Sequence, residues 1–271
     1  GLSEEVFEEG LIIPMLRLYD AGEPNEMLFD LIRRNVRYSE KMIGDLRAQV
    51  ATGWAGCREM ERLCDEFGFA DLKEVSDEIT GRTEAGIRAG LRELPDGEWR
   101  EEMMMDIDGI DEPQPLVVSV KIEGDQIYVD FDGTAPQVRR PVNCPINFSR
   151  AYVAVPVKMI CDPSLPNNQG TYRPITLNAP DGSLLNPTYP APCFWRLSAG
   201  MLVAELMFKI FSRIVPDRVP AESGSLPTWQ FYVTGNKPDG EAYALHQHSF
   251  GGMGGRPGRD GPSAVRFPYN V

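Results

Sequence analysis

The hydrophobic pattern of this 271-residue chain changes its period once, near residue 112, and this change limits the possible folds more than any other feature. Before it, apolar residues recur every three or four positions, which is the period of amphipathic helices. After it, apolar and polar residues alternate, which is typical of half-buried strands. The sequence therefore predicts an α+β fold, with a helical N-terminal part followed by a mixed, largely antiparallel β-rich part that contains a buried helix.

Charge and composition change at the same place. Residues 1–112 carry a net charge of −15, whereas residues 113–271 carry +2, and most of the 23 prolines lie after the change. A proline-containing stretch at 111–115 is typical of a boundary. We therefore predict an acidic, mainly helical region at 1–112 and a β-rich, Pro/Gly-rich region with motif loops at 113–271. Acidic surfaces repel phosphates, so nucleic acid and anionic membranes are not expected partners.

The first region contains a helix-start pattern and an apolar pattern with the helical period. Glu23, Pro24 and Asn25 are typical of a helix start. Further along the chain, an apolar set at i, i+3, i+4 and i+7 predicts one buried helix face, with Gly68 as its stop. The members of that set are Met60, Leu63, Cys64 and Phe67.

The second region contains strand signals and one long apolar segment. Residues 116–122 and 127–131 alternate around a turn at 123–126, which predicts a β-hairpin. Residues 147–160 favour a helix that Pro156 would kink or restart. Residues 162–194 are loop-like, and 229–233 and 241–249 predict strands. Residues 197–215 are apolar nearly all round and contain Glu205, which predicts a buried core helix rather than a membrane span.

Cysteine and histidine offer few catalytic patterns. The five cysteines form no C-x-x-C pair, which favours reduced thiols in a cytoplasmic protein. Cys144 is a possible nucleophile, but a buried, inert thiol is the favoured interpretation. His246 and His248 would share one face of a strand, where they could bind a metal, form hydrogen bonds or act beside a catalytic group. A catalytic zinc usually needs three protein ligands, and the chain has no third histidine.

Two further groups of residues could bind a substrate. The glycine-rich segment GGMGGRPGRDG at 251–261 is neither a P-loop nor a dinucleotide fingerprint, yet Arg259 gives it the capacity to bind an anion. It could equally be a surface loop. The second group is polar and dispersed along the chain. It consists of Asp45, Arg47 and Gln49 on a predicted helix, and of Asn143, Asn147, Asn167, Asn168 and Arg173 in predicted loops.

Several ordered blocks give the chain a family resemblance. They are EGLIIP at 9–14, GDLRAQ at 44–49, FDGTAPQV at 131–138, NCPIN at 143–147, DPSLPNNQG at 162–170, RPI at 173–175, GSLLNP at 182–187, PDRVPA at 216–221 and the glycine-rich segment. In this order they resemble the hydantoinase B/oxoprolinase family over nearly the whole chain. The chain looks like the middle of a longer family member.

The resemblance implies a function that the composition does not reveal. Family members act with a hydantoinase A-type subunit that uses ATP and Mg²⁺, in homo- and hetero-oligomers, and open hydantoin or 5-oxoproline rings. The resemblance therefore implies a fragment of the B-type subunit of an ATP-dependent cyclic amide hydrolase. Acetone- and acetophenone-type carboxylases are relatives too, so a ketone carboxylase subunit is the alternative. A non-catalytic scaffold that binds its partner through the acidic region is a third hypothesis.

The resemblance also implies a metal and a set of site residues. A divalent metal, Zn or Mn, is expected in the full subunit, with ligands upstream of this sequence, so the isolated fragment is expected to be inactive. Phosphorylation of an oxygen supplies a leaving group, and the remaining work is polarisation and positioning. The candidate catalytic residues are Asp45, Gln49, Asn143, Arg173 and His246. The candidate substrate- or anion-binding residues are Arg47, Asn147, Asn168, Arg259 and Asp260.

Overall fold

A computed structural model describes residues 3–223, 229–249 and 251–265, and it has the expected α+β architecture. Its helices are α1 (Glu26–Asn35), α2 (Ser39–Phe67), α3 (Lys73–Arg92), α4 (Ile146–Cys161) and α5 (Leu197–Ile214). Its strands are β1 (Tyr19–Asp20), β2 (Glu23–Pro24), β3 (Gly97–Met105), β4 (Gln114–Glu123), β5 (Gln126–Asp130), β6 (Ile175–Asn178), β7 (Trp229–Asn236) and β8 (Ala242–Ser249).

Two compact units divide the chain. One is formed by residues 10–78, and the other combines residues 1–9 with residues 79–271. These units do not follow the regional boundary expected at 112/113, because β3 precedes that boundary and pairs with β4, which follows it. The change in charge therefore lies in the connection between two paired strands.

The larger unit is built on a four-stranded sheet in the order β3-β4-β5-β6. The β3–β4 and β4–β5 pairs are antiparallel, and β5–β6 is parallel. The predicted hairpin at 116–131 is confirmed as β4 and β5, with Gly124 at φ +60° in its turn. Strand β6 lies within residues 162–194, for which the sequence predicted only loops. The predicted strands near the C-terminus are confirmed as β7 and β8, which pair antiparallel.

The core of the larger unit lies between this sheet and two buried helices. The predicted core helix is confirmed as α5, with ten buried residues, and α4 packs beside it. Helix α4 continues through the buried Pro156 without a break. Among the described residues, no helix is long and apolar enough to cross a membrane.

Strand β3 was not predicted, and Glu101 explains why. Residues at alternate positions of β3 face the core side, and Glu101 is one of them. Its carboxylate lies 2.8 Å from Nζ of Lys209 and 2.7 Å from Nη1 of Arg213, both on α5. These cations lower the pKa of Glu101, with the hydrogen bond from Lys209 as the largest cause. An inward carboxylate with two partners thus interrupts the hydrophobic alternation that reveals a strand.

The unit formed by residues 10–78 has a much smaller core. Its buried cluster consists of Leu28, Phe29 and Ile32 from α1 and Ile43 from α2. Helix α1 begins after Asn25, whose side chain accepts a hydrogen bond from the backbone N–H of Leu28. Helix α2 is one continuous helix of 29 residues that ends at Gly68, with φ +69°.

The prediction of a buried face around Met60 is wrong. Met60, Leu63 and Phe67 are all exposed, and Cys64 is half-buried. Helix α1 has only ten residues and covers only the start of α2. Further along, Tyr19 meets Trp54 edge-on and Phe69 stacks on Phe67, but these single rings leave Met60 and Leu63 exposed. The helical period correctly identifies which side chains share a face, but it does not determine whether another element covers that face.

Candidate functional site

Asn143 holds together the loops that carry several of the motif blocks. It is fully buried, and its Oδ1 accepts a hydrogen bond from the N–H of Val138 at 2.9 Å. Its Nδ2 lies 2.8 Å from each of the carbonyl oxygens of Val138, Arg140 and Pro192. The amide thereby connects residues 138–140 to the segment before α5. This geometry gives Asn143 a positioning role, because its polar atoms already face backbone partners.

Two buried hydroxyl groups continue this framework. Thr134 Oγ1 accepts a hydrogen bond from the N–H of Val117 and donates one to the carbonyl of the same residue. Ser149 on α4 donates to the carbonyl of Leu185 at 2.9 Å. Blocks 131–138, 143–147 and 182–187 therefore form one hydrogen-bonded layer against β4 and α4.

Cys144 lies in the same layer and does not have the character of a nucleophile. The thiol is fully buried and in contact with the Ser149 hydroxyl. Desolvation raises the pKa of Cys144 to about 12, and it outweighs the lowering effect of the Ser149 hydrogen bond. Because the thiolate is the reactive form, this environment favours an inert thiol at neutral pH.

An aromatic–histidine surface, formed by Trp195, Tyr232 and His246, adjoins this framework. The His246 imidazole stacks on the Tyr232 ring, with centroids 4.0 Å apart and an interplanar angle of 12°. The Tyr232 ring meets the Trp195 ring edge-on at 6.2 Å. The N–H of Trp195 donates to the carbonyl of Pro141 at 2.7 Å, which anchors the surface to the loop that Asn143 organises.

Exposed polar groups lie beside this surface. Asn147 is exposed in the first turn of α4. The next residue, Phe148, lies under the guanidinium of Arg196, which is 5.1 Å from the ring centroid. Arg196 follows Trp195 directly in the chain. A cation, an exposed amide and an imidazole are all groups that donate hydrogen bonds to a carbonyl oxygen or an anion.

Asn168 and Arg173 lie on another part of the same unit, against α3. Asn168 donates to Thr83 Oγ1 at 2.8 Å and accepts from the N–H of Gly170 at 2.8 Å. Arg173 pairs with Glu84 at 3.1 Å. The pKa of Glu84 is lowered, first by its hydrogen bond from Arg88 and then by that from Arg173. These contacts attach the 162–173 segment to α3.

The glycine-rich segment forms a compact turn on residues 221–223. Arg256 and Arg259 exchange backbone hydrogen bonds across a turn at Pro257 and Gly258, and Gly258 has φ +73°. Arg259 and Asp260 are exposed. The N–H of Ala221 donates to the carbonyl of Gly255, and the N–H of Gly254 donates to Ser223 Oγ. The predicted arginine is therefore presented to solvent on an ordered turn.

Glu205 is a candidate that the sequence analysis did not select. It lies half-buried on α5, and burial, together with the nearby Glu222 carboxylate, raises the pKa of Glu205 to about 7. Glu222 belongs to the segment that carries the glycine-rich turn. A carboxyl group with a pKa near neutrality is suited to proton transfer. The available sequence signal was one acidic residue in an otherwise apolar helix segment.

The remaining candidates belong to the unit of residues 10–78. Asp45, Arg47 and Gln49 are all exposed on α2. Asp45 and Gln49 share a face, whereas the Arg47 guanidinium lies 5.6 Å from the centroid of the Phe29 ring. Within the larger unit the candidates thus form three groups: those against α3, the aromatic–histidine surface with Asn143 and Asn147, and the glycine-rich turn.

The described residues contain no donor set for a metal ion. Within 3–223, 229–249 and 251–265, no three His, Cys, Asp or Glu side chains are grouped as metal ligands. The side chains present there do not fit the divalent metal that the resemblance implies. The five cysteines are free thiols.

The α+β fold and the motif blocks that it brings together define the class of protein. The family model for hydantoinase B/oxoprolinase matches residues 2–270, and the chain belongs to that family. The chain is 31% identical to the putative B-type subunit of the D-/L-hydantoinase of Pseudomonas sp. (strain NS671), over 98% of its own length and 46% of the relative's. It thus spans about half the length of this relative.

Solved structures show the same fold. The ATP-dependent caprolactamase from Pseudomonas jessenii matches with a TM-score of 0.84 and 25% identity, over 97% of this chain and 46% of that chain. A nucleotide-free structure of acetone carboxylase matches with a TM-score of 0.83 and 17% identity, over 97% of this chain and 37% of that chain. The second likeness concerns the fold alone.

Proposed function

We propose that this chain is part of the B-type subunit of an ATP-dependent cyclic amide hydrolase. The observation that carries the proposal is the family match over residues 2–270, together with 31% identity to the B-type subunit of a hydantoinase. The substrate is a small cyclic amide such as a hydantoin, 5-oxoproline or a lactam. The partner is a hydantoinase A-type subunit, which uses ATP to phosphorylate the amide oxygen. Water then adds to the activated carbon and the ring C–N bond breaks as the nitrogen takes a proton. Hydrolysis of the resulting acyl phosphate releases phosphate and the open-chain carboxylate.

The chemistry explains why two subunits are needed. A cyclic amide resists hydrolysis because its nitrogen donates electron density to the carbonyl, and phosphorylation of the oxygen removes that stabilisation. The B-type subunit then orients the activated ring and stabilises the charge that develops during ring opening. A divalent metal in the complete subunit would polarise the reacting group, with ligands from outside the described residues.

The roles of the individual residues follow their surroundings. His246, Asn147 and Arg196 are the proposed hydrogen-bond donors to the reacting group, and Glu205 is the proposed proton carrier. Asn143 positions the loops beside them. Arg259 and Asp260 are proposed to bind anionic substrate groups. Arg173 and Asn168, in the segment attached to α3, are proposed to support the site of the larger unit. Asp45, Gln49 and Arg47 on α2 are proposed as catalytic and substrate-binding residues of the unit formed by residues 10–78. The five free thiols support a reducing compartment, and we place the protein in the cytoplasm.

The test uses the complete B-type subunit that contains this chain, assembled with its A-type partner. Hydrolysis of hydantoin, 5-oxoproline and caprolactam is measured with and without ATP, and ketone consumption is measured with and without bicarbonate. ATP-dependent ring opening is expected. Bicarbonate-dependent consumption of acetone or acetophenone would instead establish the carboxylase alternative. An assembly without either activity would leave only a scaffold role for this chain.

Variants of that assembly test the site. Asn147→Ala and His246→Ala are expected to lower kcat at least tenfold, because each removes a donor proposed to face the reacting group. The matched control is Asn35→Ala, which removes an exposed amide that caps the carbonyl of Leu31 at the end of α1. Unchanged turnover in Asp45→Ala or Arg173→Ala would assign those two residues to the scaffold.

A further inference from the structure

The N-terminal strap, which we define as residues 3–9, lies against the loop that leads into α5. Both belong to the larger unit. The N–H of Val6 donates to the carbonyl of Pro190 at 2.9 Å. The Phe7 ring meets the Tyr189 ring edge-on, with centroids 5.7 Å apart. The strap is thus fixed on this loop by a backbone hydrogen bond and an aromatic contact.

Glu9 ends the strap, and both of its carboxylate oxygens are engaged. Its Oε1 accepts a hydrogen bond from the N–H of Phe194 at 2.7 Å, and its Oε2 accepts one from the N–H of Cys193 at 3.0 Å. Ser3 of the strap donates to Oε1 at 3.3 Å. Hydrogen bonds to an ionised acceptor are about twice as strong as those between neutral groups. A half-buried carboxylate therefore holds two consecutive N–H groups that lie 184 and 185 residues away along the chain.

These two N–H groups begin the turn from which α5 starts. The N–H of Arg196 donates to the carbonyl of Cys193 at 3.1 Å. Arg196 is the N-cap residue of α5, and it forms no side-chain cap hydrogen bond. The N–H groups at the start of a helical segment have no acceptor within it, and a carboxylate is a favourable acceptor at that end. Glu9 thus supplies the acceptor that Arg196 does not provide.

The same turn carries two residues of the aromatic–histidine surface and its surroundings. Trp195 meets Tyr232 edge-on. The Arg196 side chain donates from Nη1 to the carbonyl of Cys193 at 3.3 Å, so it rests on a residue whose N–H is held by Glu9. The positions of the indole ring and of the guanidinium therefore depend on where Glu9 fixes the turn.

We propose that Glu9 is a positioning residue, whose carboxylate fixes the 193–196 turn so that Arg196 faces the reacting group. This role rests on the proposed function, in which Arg196 is a hydrogen-bond donor to that group. Both oxygens of Glu9 face donors of the protein, so Glu9 acts through the turn and does not itself touch the substrate. A donor displaced by about 1 Å can lower a rate by about a hundredfold.

Double-mutant kinetics test this role in the complete B-type subunit, assembled with its A-type partner. Glu9→Gln keeps the length of the side chain and removes its charge, and it is expected to lower kcat about tenfold with KM changed less than about twofold. Arg196→Ala is also expected to lower kcat about tenfold. In the Arg196→Ala background, Glu9→Gln is expected to lower kcat less than about threefold, because the group that Glu9 positions is absent.

The matched control is Glu8→Gln, the same substitution one residue earlier in the strap. The exposed Glu8 carboxylate accepts a hydrogen bond from the N–H of Glu4, within the strap itself. Its replacement should leave kcat within about twofold in both backgrounds. A residue that only stabilises the fold does not couple to Arg196. An unchanged kcat in Glu9→Gln, or an equal loss in both backgrounds, would therefore overturn the proposal.

Thiol labelling of Cys193 in the same subunit tests the contact without using the reaction. Cys193 is half-buried, and desolvation, together with the Glu9 carboxylate, raises the pKa of Cys193 to about 11. Glu9→Gln releases the turn and removes the charge that opposes the thiolate, so iodoacetamide at pH 8 should label Cys193 at least about threefold faster than in the wild type. Glu8→Gln should leave the rate unchanged, and mass spectrometry of the labelled peptide measures it.

The two measurements separate failure of this role from failure of the proposed function. An unchanged labelling rate in Glu9→Gln would refute the role of Glu9, whatever reaction the assembly performs. Faster labelling together with an inactive wild-type assembly would instead refute the proposed function and leave Glu9 only a structural role.

Discussion

At the scale of single residues, chemically identical side chains have different roles because their surroundings differ. Asn143 and Asn147 are four residues apart in one motif block. The first is buried among backbone groups that use its amide, and the second is exposed at the start of α4. Burial with several backbone partners makes a side chain structural, whereas exposure beside a cation and an aromatic ring leaves it available to a substrate.

Replacement of the two asparagines by alanine is therefore expected to separate stability from activity. Asn143→Ala leaves the buried N–H of Val138 and several carbonyl groups without partners, so the free energy of unfolding should fall by about 3 kcal/mol. Asn147→Ala should change it by less than about 0.5 kcal/mol. Urea denaturation followed by circular dichroism measures both values, and equal losses would contradict the distinction.

Glu205 is expected to give the stability a specific pH dependence. Its pKa is about 7 in the folded chain against 4.5 as the reference value, so the folded state keeps a proton that the unfolded state releases. Wild-type stability should therefore fall as pH rises from about 4.5 to 7, and this loss should be absent from Glu205→Gln. At pH 8 the variant should be more stable by about 2 kcal/mol.

The measurement is urea denaturation of both proteins at several pH values. Glu102→Gln serves as the control, because it removes an exposed carboxylate from β3 and should leave the shape of the pH profile unchanged. If wild type and Glu205→Gln had parallel profiles between pH 4.5 and 8, Glu205 would not hold a proton at neutral pH.

At the scale of elements, close backbone contact determines where the motif loops attach. Gly170 follows the Asn168 turn, and a Cβ on it would lie 2.2 Å from the carbonyl oxygen of Thr80 and 2.8 Å from the N–H nitrogen of Glu84. Both atoms belong to the backbone of α3 and cannot move aside. The loop therefore contacts the helix through a residue that must lack a side chain.

Two glycine-to-alanine substitutions should accordingly have opposite effects. Gly170→Ala forces the loop away from α3 and is expected to lower the free energy of unfolding by at least about 2 kcal/mol. Gly44→Ala, in α2 with nothing within 4 Å, is expected to raise it by about 0.5 to 1 kcal/mol through helix propensity. Thermal and urea unfolding compare the two, and a tolerated Gly170→Ala would argue against the close contact.

At the scale of the whole molecule, the two compact units differ greatly in the apolar surface that they bury. The unit of residues 10–78 has a core of four buried residues, whereas the larger unit has a core that spans the sheet, α4 and α5. Hydrophobic burial is the main favourable term in folding, and a small core gives marginal stability. The unit of residues 10–78 also contains all of α2, with its exposed apolar side chains.

The chain is therefore expected to unfold in two steps rather than one. Trp54 lies in the smaller unit and the other three tryptophans lie in the larger one, so the first step of a urea titration should change Trp54 fluorescence. Trp54→Phe should remove the fluorescence change of that step. Phe29→Ala should move the first step to lower urea concentration, and Val153→Ala should move only the second. A single transition in all variants would contradict this expectation.

The features that were predictable from the sequence depend on neighbours along the chain. The β4–β5 hairpin and the apolar helix α5 follow from local periodicity and turn residues, and the motif blocks suffice for the family. Strand β3 was missed because Glu101 faces inward, and its partners Lys209 and Arg213 are more than a hundred residues away. The uncovered face of α2 was missed because periodicity does not reveal what packs on a helix.

The candidate site shows the same division between features set by neighbours along the chain and features set by long-range contacts. The sequence by itself determined the residue types that can bind and polarise a carbonyl, and it determined the family. Only the tertiary structure showed that Asn143 is buried and Asn147 exposed, that His246 stacks on Tyr232, and that Glu205 titrates near neutral pH. Local patterns are encoded by adjacent residues, whereas burial and pKa depend on long-range contacts that exist only in the folded chain.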